Sequence, residues 1–159
     1  MWNYIAQFIA RRPWLVDAII HQAQKRPYRH LMGYMGRWYL LPGGPAAEEA
    51  SKWLRWLPVA IRVHHIQTAD SGRDLHDHPF DFRTVILRGG YVEEDLAGDV
   101  RGYIAGDTYF SPAERFHRIS GVARGGAWTM VFIFSRRNQW GFLTEDGKVG
   151  HREYLGEDA

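Results

Sequence analysis

From about residue 57 onward, apolar and polar residues alternate in short runs, and a turn signal closes a run about every 8–12 residues. The pattern predicts strands over 59–68, 75–90, 90–94, 100–104, 107–110, 117–122 and 128–135. Turns are expected at Asp70-Ser71-Gly72, Leu96-Ala97-Gly98-Asp99 and Arg124-Gly125-Gly126. In the last strand Trp128, Met130, Phe132 and Phe134 share a face, because side-chain direction alternates along extended backbone. A final hairpin runs over 140–143, turns at Asp146-Gly147 and returns over 149–155; Asp-Gly is a favoured turn dipeptide.

Ahead of this region the spacing is mostly helical. Helices are expected over 3–10 and 14–25, with Trp14, Leu15, Ala18 and Ile19 as an apolar stripe and Pro13 in the first turn of the second. Lys25-Arg26-Pro27 ends that helix, placing cations at its negative pole and a proline beyond. A first strand follows over 35–41, closed by Pro42-Gly43-Gly44-Pro45, and 46–56 reads as a helical turn or two. The expected organisation is a helical N-terminal extension, 1–34, on an all-β sandwich or barrel, 35–159.

Composition supports short strands over a helical bundle, since 14% of the 159 residues are aromatic and 17 are glycine. The absence of cysteine excludes disulfides and thiolate metal ligands and suits a cytoplasmic protein. No apolar run approaches the roughly 20 residues of a membrane span, and Arg11 and Arg12 follow the first apolar stretch where a secretory signal would place charge before it. Net charge is +2, yet residues 1–40 hold six Lys or Arg against one acid, Asp17, so that segment is +5 and the remainder −3. The segment reads first as a solvated helix face, and second as a contact for an anionic surface, lipid or nucleic acid. Nucleic acid is the weaker partner of the two.

Candidate chemistry concentrates in Leu75-His76-Asp77-His78-Pro79 and the bulky run behind it, which ends at Gly89-Gly90 as a strand entering a turn would. His76 and His78, at i and i+2, project from one side of extended chain and make half of a metal site. A third histidine, His117, ends a strand–proline turn segment that begins at Gly106.

These two segments resemble the paired motifs of the cupin family. In the first motif, a His-X-His followed by Glu and Gly, His76, His78 and Gly90 fall in place; in the second, Gly106, Pro112 and His117 match in spacing. Glu114 and Gly121 stand where Gly and Asn are usual. The resemblance covers about 57–143 and implies a double-stranded β-helix, or jelly-roll barrel, with His76, His78 and His117 binding a divalent metal: Fe2+ foremost, then Zn2+, Ni2+ or Mn2+. Cupins commonly add a Glu four or five residues after the second histidine, where this chain has Phe82 and Arg83. The site implied is therefore three histidines.

An arginine beside a dication needs an anion between them. Arg83 thus either faces the pocket and holds an anionic substrate, or points outward or pairs with Asp81. Asp81, His64, His65 or water are the candidates for a fourth ligand, and only one of His64 and His65 can look inward. Tyr109 is a second candidate for positioning substrate. No His-Glu-X-X-His, phosphate-binding glycine loop or Gly-X-Ser-X-Gly occurs, and the acid of an oxoglutarate-oxygenase triad is replaced by His78. Two functions follow from the resemblance: an iron(II) dioxygenase-like or isomerase enzyme acting on a small anionic molecule, or a non-catalytic module that binds a sugar, an anion or a protein partner. A homodimer is expected in both.

Overall fold

The computed structural model describes residues 1–43, 57–70 and 73–156. The helical turn expected over 46–56 and two residues of the 70–72 turn lie outside the described residues. Among the described residues, helices α1 (Trp2–Ala10) and α2 (Pro13–Gln24) precede ten strands: β1 (Pro27–Leu31), β2 (Met35–Leu41), β3 (Ala60–Ile66), β4 (Leu75–His76), β5 (Phe80–Asp95), β6 (Val100–Ile104), β7 (Thr108–Ser111), β8 (His117–Arg136), β9 (Gly141–Thr144) and β10 (Gly147–Gly150). A short helix, α3 (His151–Leu155), ends the described chain.

Every strand pairing is antiparallel, in the order β1-β2-β3-β8-β4-β9-β10, with β5 joining β8 to β6 and β7. The backbone of this curled sheet is the ladder between β5 and β8, which runs from Phe80↔Arg136 to Asp95↔His117. Its two ends meet across the interior, where the Phe82 and His117 rings stand 6.4 Å apart.

Sequence reasoning divides each of these long strands in two. Gly89-Gly90 and Gly125-Gly126 are corners inside strands, with pairing resumed on both sides. The bend requires glycine: Gly89 has φ +71°, and a Cβ there would lie 2.0 Å from the Gly126 carbonyl oxygen. Conversely, the expected strand 75–90 breaks after His76, because Pro79 has no N–H to give a ladder and Asp77 is bound elsewhere. Residues 27–31, placed with the helical segment by sequence, form β1 on the edge of β2. The last hairpin turns at Glu145-Asp146, and the return expected over 149–155 becomes α3 after Gly150, with Tyr154 stacked on Phe142 at 4.0 Å.

Alternation gives the barrel two apolar layers. The inner one holds Ala60, Phe82, Val131 and Ile133, continued by Ile66, Ile86, Tyr91, Ile119 and Ala127. The outer one sits between the sheet and the helices: Val63, Val85, Leu87 and Met130 pack against Ala6, Ile9, Val16, Ile20 and Ala23. Trp128 and Phe132 lie in that outer layer, and Trp2 meets Phe132 edge-on at 5.0 Å. At the turn between β6 and β7, Gln7 Nε2 of α1 donates to the Gly106 carbonyl at 3.3 Å. The N-terminal helices are therefore a wall of the hydrophobic core.

Candidate metal centre

His76, His78 and His117 come together although they sit on two backbone segments about forty residues apart. In β4, His76 pairs directly with His117 at the start of β8 and with Phe142 of β9. His78 follows β4, its N–H donating to the Ala113 carbonyl at 3.0 Å. The Pro112 turn is thereby tied to the histidine segment. The three rings have centroids 5.0–5.1 Å apart, and one nitrogen from each lies within 4.8 Å of the others. His78 Nε2 stands 2.7 Å from His117 Nε2, and His76 Nδ1 is buried without a hydrogen-bond partner. Phe82, 4.9 Å from the His78 ring, fills the side where cupins commonly offer a carboxylate.

Burial keeps His76 and His78 neutral. It is the main reason that His76 is lowered to about 4 and His78 well below the ordinary histidine value, with the neighbouring His117 adding to both. Neutral imidazole is the form that ligates a divalent metal. Three converging imidazole nitrogens, on rings of which His76 and His78 are held neutral, with His76 Nδ1 buried and unpartnered, fit such an ion.

Two buried carboxylates set the geometry, and sequence reasoning missed both. Glu93, on the inner face of β5 two residues past Tyr91, has a fully buried side chain. Its Oε2 lies 3.0 Å from His117 Nδ1 and accepts from the Tyr109 hydroxyl at 2.9 Å, while Oε1 pairs with Arg115. Burial opposes its charge, but His117, Arg115 and Tyr109 together hold it below the usual glutamate range. An imidazole whose Nδ1 faces a carboxylate presents the Nε2 lone pair on its other side, which is how ligand histidines are commonly oriented. Asp77 points away from its two flanking histidines. It accepts from the Gly141 N–H at 2.8 Å and Asn138 Nδ2 at 2.6 Å and pairs with Lys148, fastening the His76–His78 segment to the last hairpin. A carboxylate on the apolar face of a strand, as in Tyr91-Val92-Glu93, is the signal that could have found the first.

The remaining predicted residues separate. Arg83 takes the outward of its two expected directions: its guanidinium lies 5.1 Å from the Trp2 ring and 5.8 Å from that of Phe110, with Nη1 3.5 Å from the Thr108 hydroxyl. Asp81 is engaged elsewhere, accepting from the Ala113 N–H at 3.0 Å and pairing with Arg137 at 2.9 Å. His65 also faces outward, stacked on Trp128 at 4.2 Å. Tyr109 is inside the barrel and bonds to Glu93 and to Tyr91, so it reaches the histidines through Glu93.

His64 looks inward. It pairs with buried Thr129 on the face of β3 that carries Ala60, Arg62 and Ile66, and its buried Nε2 has no hydrogen-bond partner. Burial, then Arg62 and Arg37, keep it neutral, and its own field contributes to the lowering at His78.

No protein-family model matches the chain, and no curated protein does. Solved structures do match. Oxalate decarboxylase of Bacillus subtilis superposes with a TM-score of 0.54 at 13% identity, over 85% of this chain and 33% of that one. A cupin 2 conserved barrel domain protein from Rhodopseudomonas palustris gives 0.50 at 18%, over 84% and 83%. KdgF from Halomonas sp. gives 0.51 at 13%, over 71% and 92%. The chain thus spans about a third of the oxalate decarboxylase chain, and 47% of a DMSP lyase chain that it also matches. At these identities the likeness is one of fold, and the fold is the cupin barrel.

Proposed function

We propose that this cupin barrel is a metal-dependent protein whose three-histidine centre acts on a small anionic molecule in the manner of a non-haem iron(II) dioxygenase. One observation carries the reading: three imidazole nitrogens converge within 4.8 Å, and Glu93 backs one of the rings. His76, His78 and His117 would hold the ion, with Fe2+ first and Mn2+ next. The oxalate decarboxylase that shares the fold has Mn(II) centers. A bound dication supplies Lewis-acid or redox chemistry and, with three protein ligands, keeps positions open for substrate.

The chain's own residues would do the rest. Glu93 fixes the His117 ring and balances the ion's charge, and Tyr109 and Arg115 hold Glu93 in place. His64, inward-facing and neutral, offers a ring nitrogen to a ligand in the barrel. Arg37 and Arg62 set a positive field on His64, which favours a substrate that carries negative charge. Phe82 keeps the neighbouring side of the centre apolar.

The test is elemental analysis of protein purified without added metal, together with His76→Ala and His117→Ala. About one iron or manganese per chain, lost in both variants, is expected. Dioxygen uptake with a panel of small carboxylates, thiols and diketones then separates an oxygenase from a binding module. No metal under any condition would remove the centre.

A further inference from the structure

Helix α1 is apolar on two faces, yet the barrel covers one. Ala6 and Ile9 are buried against the sheet, whereas Met1, Tyr4, Ile5 and Phe8 are 85%, 82%, 38% and 54% exposed. Residues 1, 4, 8 and 11 fall on one helical stripe, so Tyr4 and Phe8 lead directly to exposed Arg11. Arg12 folds over Phe8, its guanidinium 3.6 Å from the ring centroid and its Nη1 donating to the Phe8 carbonyl at 2.7 Å. Past this corner, Trp14 in the first turn of α2 is 67% exposed. The one acid of the two helices, Asp17, is already paired with Arg88 at 2.5 Å. Tyr4 and Phe8 thus stand exposed beside Arg11 and Arg12, which have no acidic partner among the described residues, on the side of α1 away from Ala6 and Ile9, and Trp14 is exposed just past the corner.

We infer that this edge docks the protein on a lipid bilayer carrying anionic headgroups, with Tyr4, Phe8 and Trp14 entering the interface and Arg11 and Arg12 meeting the lipid charge. A helix with apolar side chains on a second, exposed face needs a second apolar surrounding. Aromatic rings that are part apolar and part polar suit the headgroup level, and arginines beside them suit its negative potential. A second copy of the chain is a poorer occupant, since a two-fold contact through this stripe would bury Arg11 and Arg12 with no acid on the stripe to pair with them. Nucleic acid would leave Met1 and Ile5 without a role. No helix of the described residues is long and apolar enough to cross a membrane, so the contact is peripheral.

Flotation of the full chain with vesicles tests this, using phosphatidylcholine alone and phosphatidylcholine with phosphatidylserine, at low and high salt. The wild type is expected to float with the phosphatidylserine vesicles at low salt and to be released by salt. Tyr4→Ser/Phe8→Ser and, separately, Arg11→Glu should each weaken partitioning about tenfold or more. Both leave circular dichroism and metal content unchanged, because the altered side chains are in solvent. The inference is overturned if the wild type ignores anionic vesicles or floats equally with neutral ones. It is also overturned if the double variant partitions like the wild type. Light scattering supplies the last outcome: a dimer that the double variant converts to monomer, with vesicles ignored, would give the stripe to a second copy.

Discussion

The two faces of the β5–β8 ladder are built on opposite principles. The outer face, under the helices, buries apolar side chains, with Val85, Leu87 and Met130 meeting Ala6, Val16 and Ile20, and keeps its charges, Arg83 and Arg88, partly or wholly exposed. The inner face, apolar over most of its length, also buries a polar set: Glu93 and His117 of the ladder join Tyr109 and Arg115 in one connected group around the histidines. Burial of apolar area is additive and forgiving of small displacement, whereas a buried carboxylate is stable only while every partner is in place. The outer layer therefore keeps the barrel folded, and the inner set keeps it chemically specific.

The strongest challenge to that division is to remove the outer layer altogether. Deleting residues 1–24 uncovers Val63, Val85, Leu87 and Met130, each worth about 1.5–3 kcal/mol when buried. Their sum rivals the whole stability of a domain this size, about 5–15 kcal/mol. The expected product is unfolded or aggregated, as read by circular dichroism and size-exclusion chromatography. A soluble, folded 25–159 fragment that retains metal would break the comparison, because the helices would then be an appendage.

Next in size is the corner that carries the ladder from one region to the other. Gly89→Ala must place a Cβ against the Gly126 carbonyl at a φ of +71°. A loss of about 3 kcal/mol or more in denaturant unfolding is expected, with metal content falling in step. Unchanged stability would mean that the two halves of the ladder are not bent by this pair of glycines.

Glu93→Gln separates the two faces most cleanly. The amide keeps the shape and can still accept from Tyr109, but Arg115 loses its counter-charge and His117 loses the carboxylate at its Nδ1. Metal affinity should drop about 10–100-fold, measured by competition with a chelator, while unfolding free energy falls by about 1–3 kcal/mol. A stability loss with metal affinity intact would make Glu93 a core ion pair and nothing more.

The contrast between the faces also explains what the sequence discloses. His76, His78 and His117 are legible because their identities and spacings are rare and local, and the turn residues Gly106 and Pro112 fix the distance between segments. Helices α1 and α2 and most strand positions follow from periodicity for the same reason. What escapes is whatever depends on pairing partners far along the chain. Gly89-Gly90 reads as a turn until β8 is known to stay bonded across it, and Glu93 reads as a solvent-facing acid until Arg115 and His117 are placed beside it. The sequence does not choose between His64 and His65 for the inward direction, and the register with buried Thr129 decides it.

The smallest predicted effect concerns Arg83, which sequence position alone puts beside the second histidine. It follows Phe82, whose ring faces His78, so alternation turns its side chain to the outer face, over Trp2 and Phe110. There its contribution is a cation–π contact and the packing of its stem, about 0.5–1 kcal/mol at a partly exposed position. Arg83→Ala should therefore cost under about 1 kcal/mol in unfolding free energy and leave metal stoichiometry and substrate affinity unchanged. Trp2→Ala should remove most of that cost in a double-mutant cycle, since the two side chains share one contact. If Arg83→Ala weakens substrate binding while leaving stability alone, the guanidinium reaches the inner face in the working protein. The boundary between the two faces would then have to be redrawn at β5, with the outer layer contributing a charge to the centre.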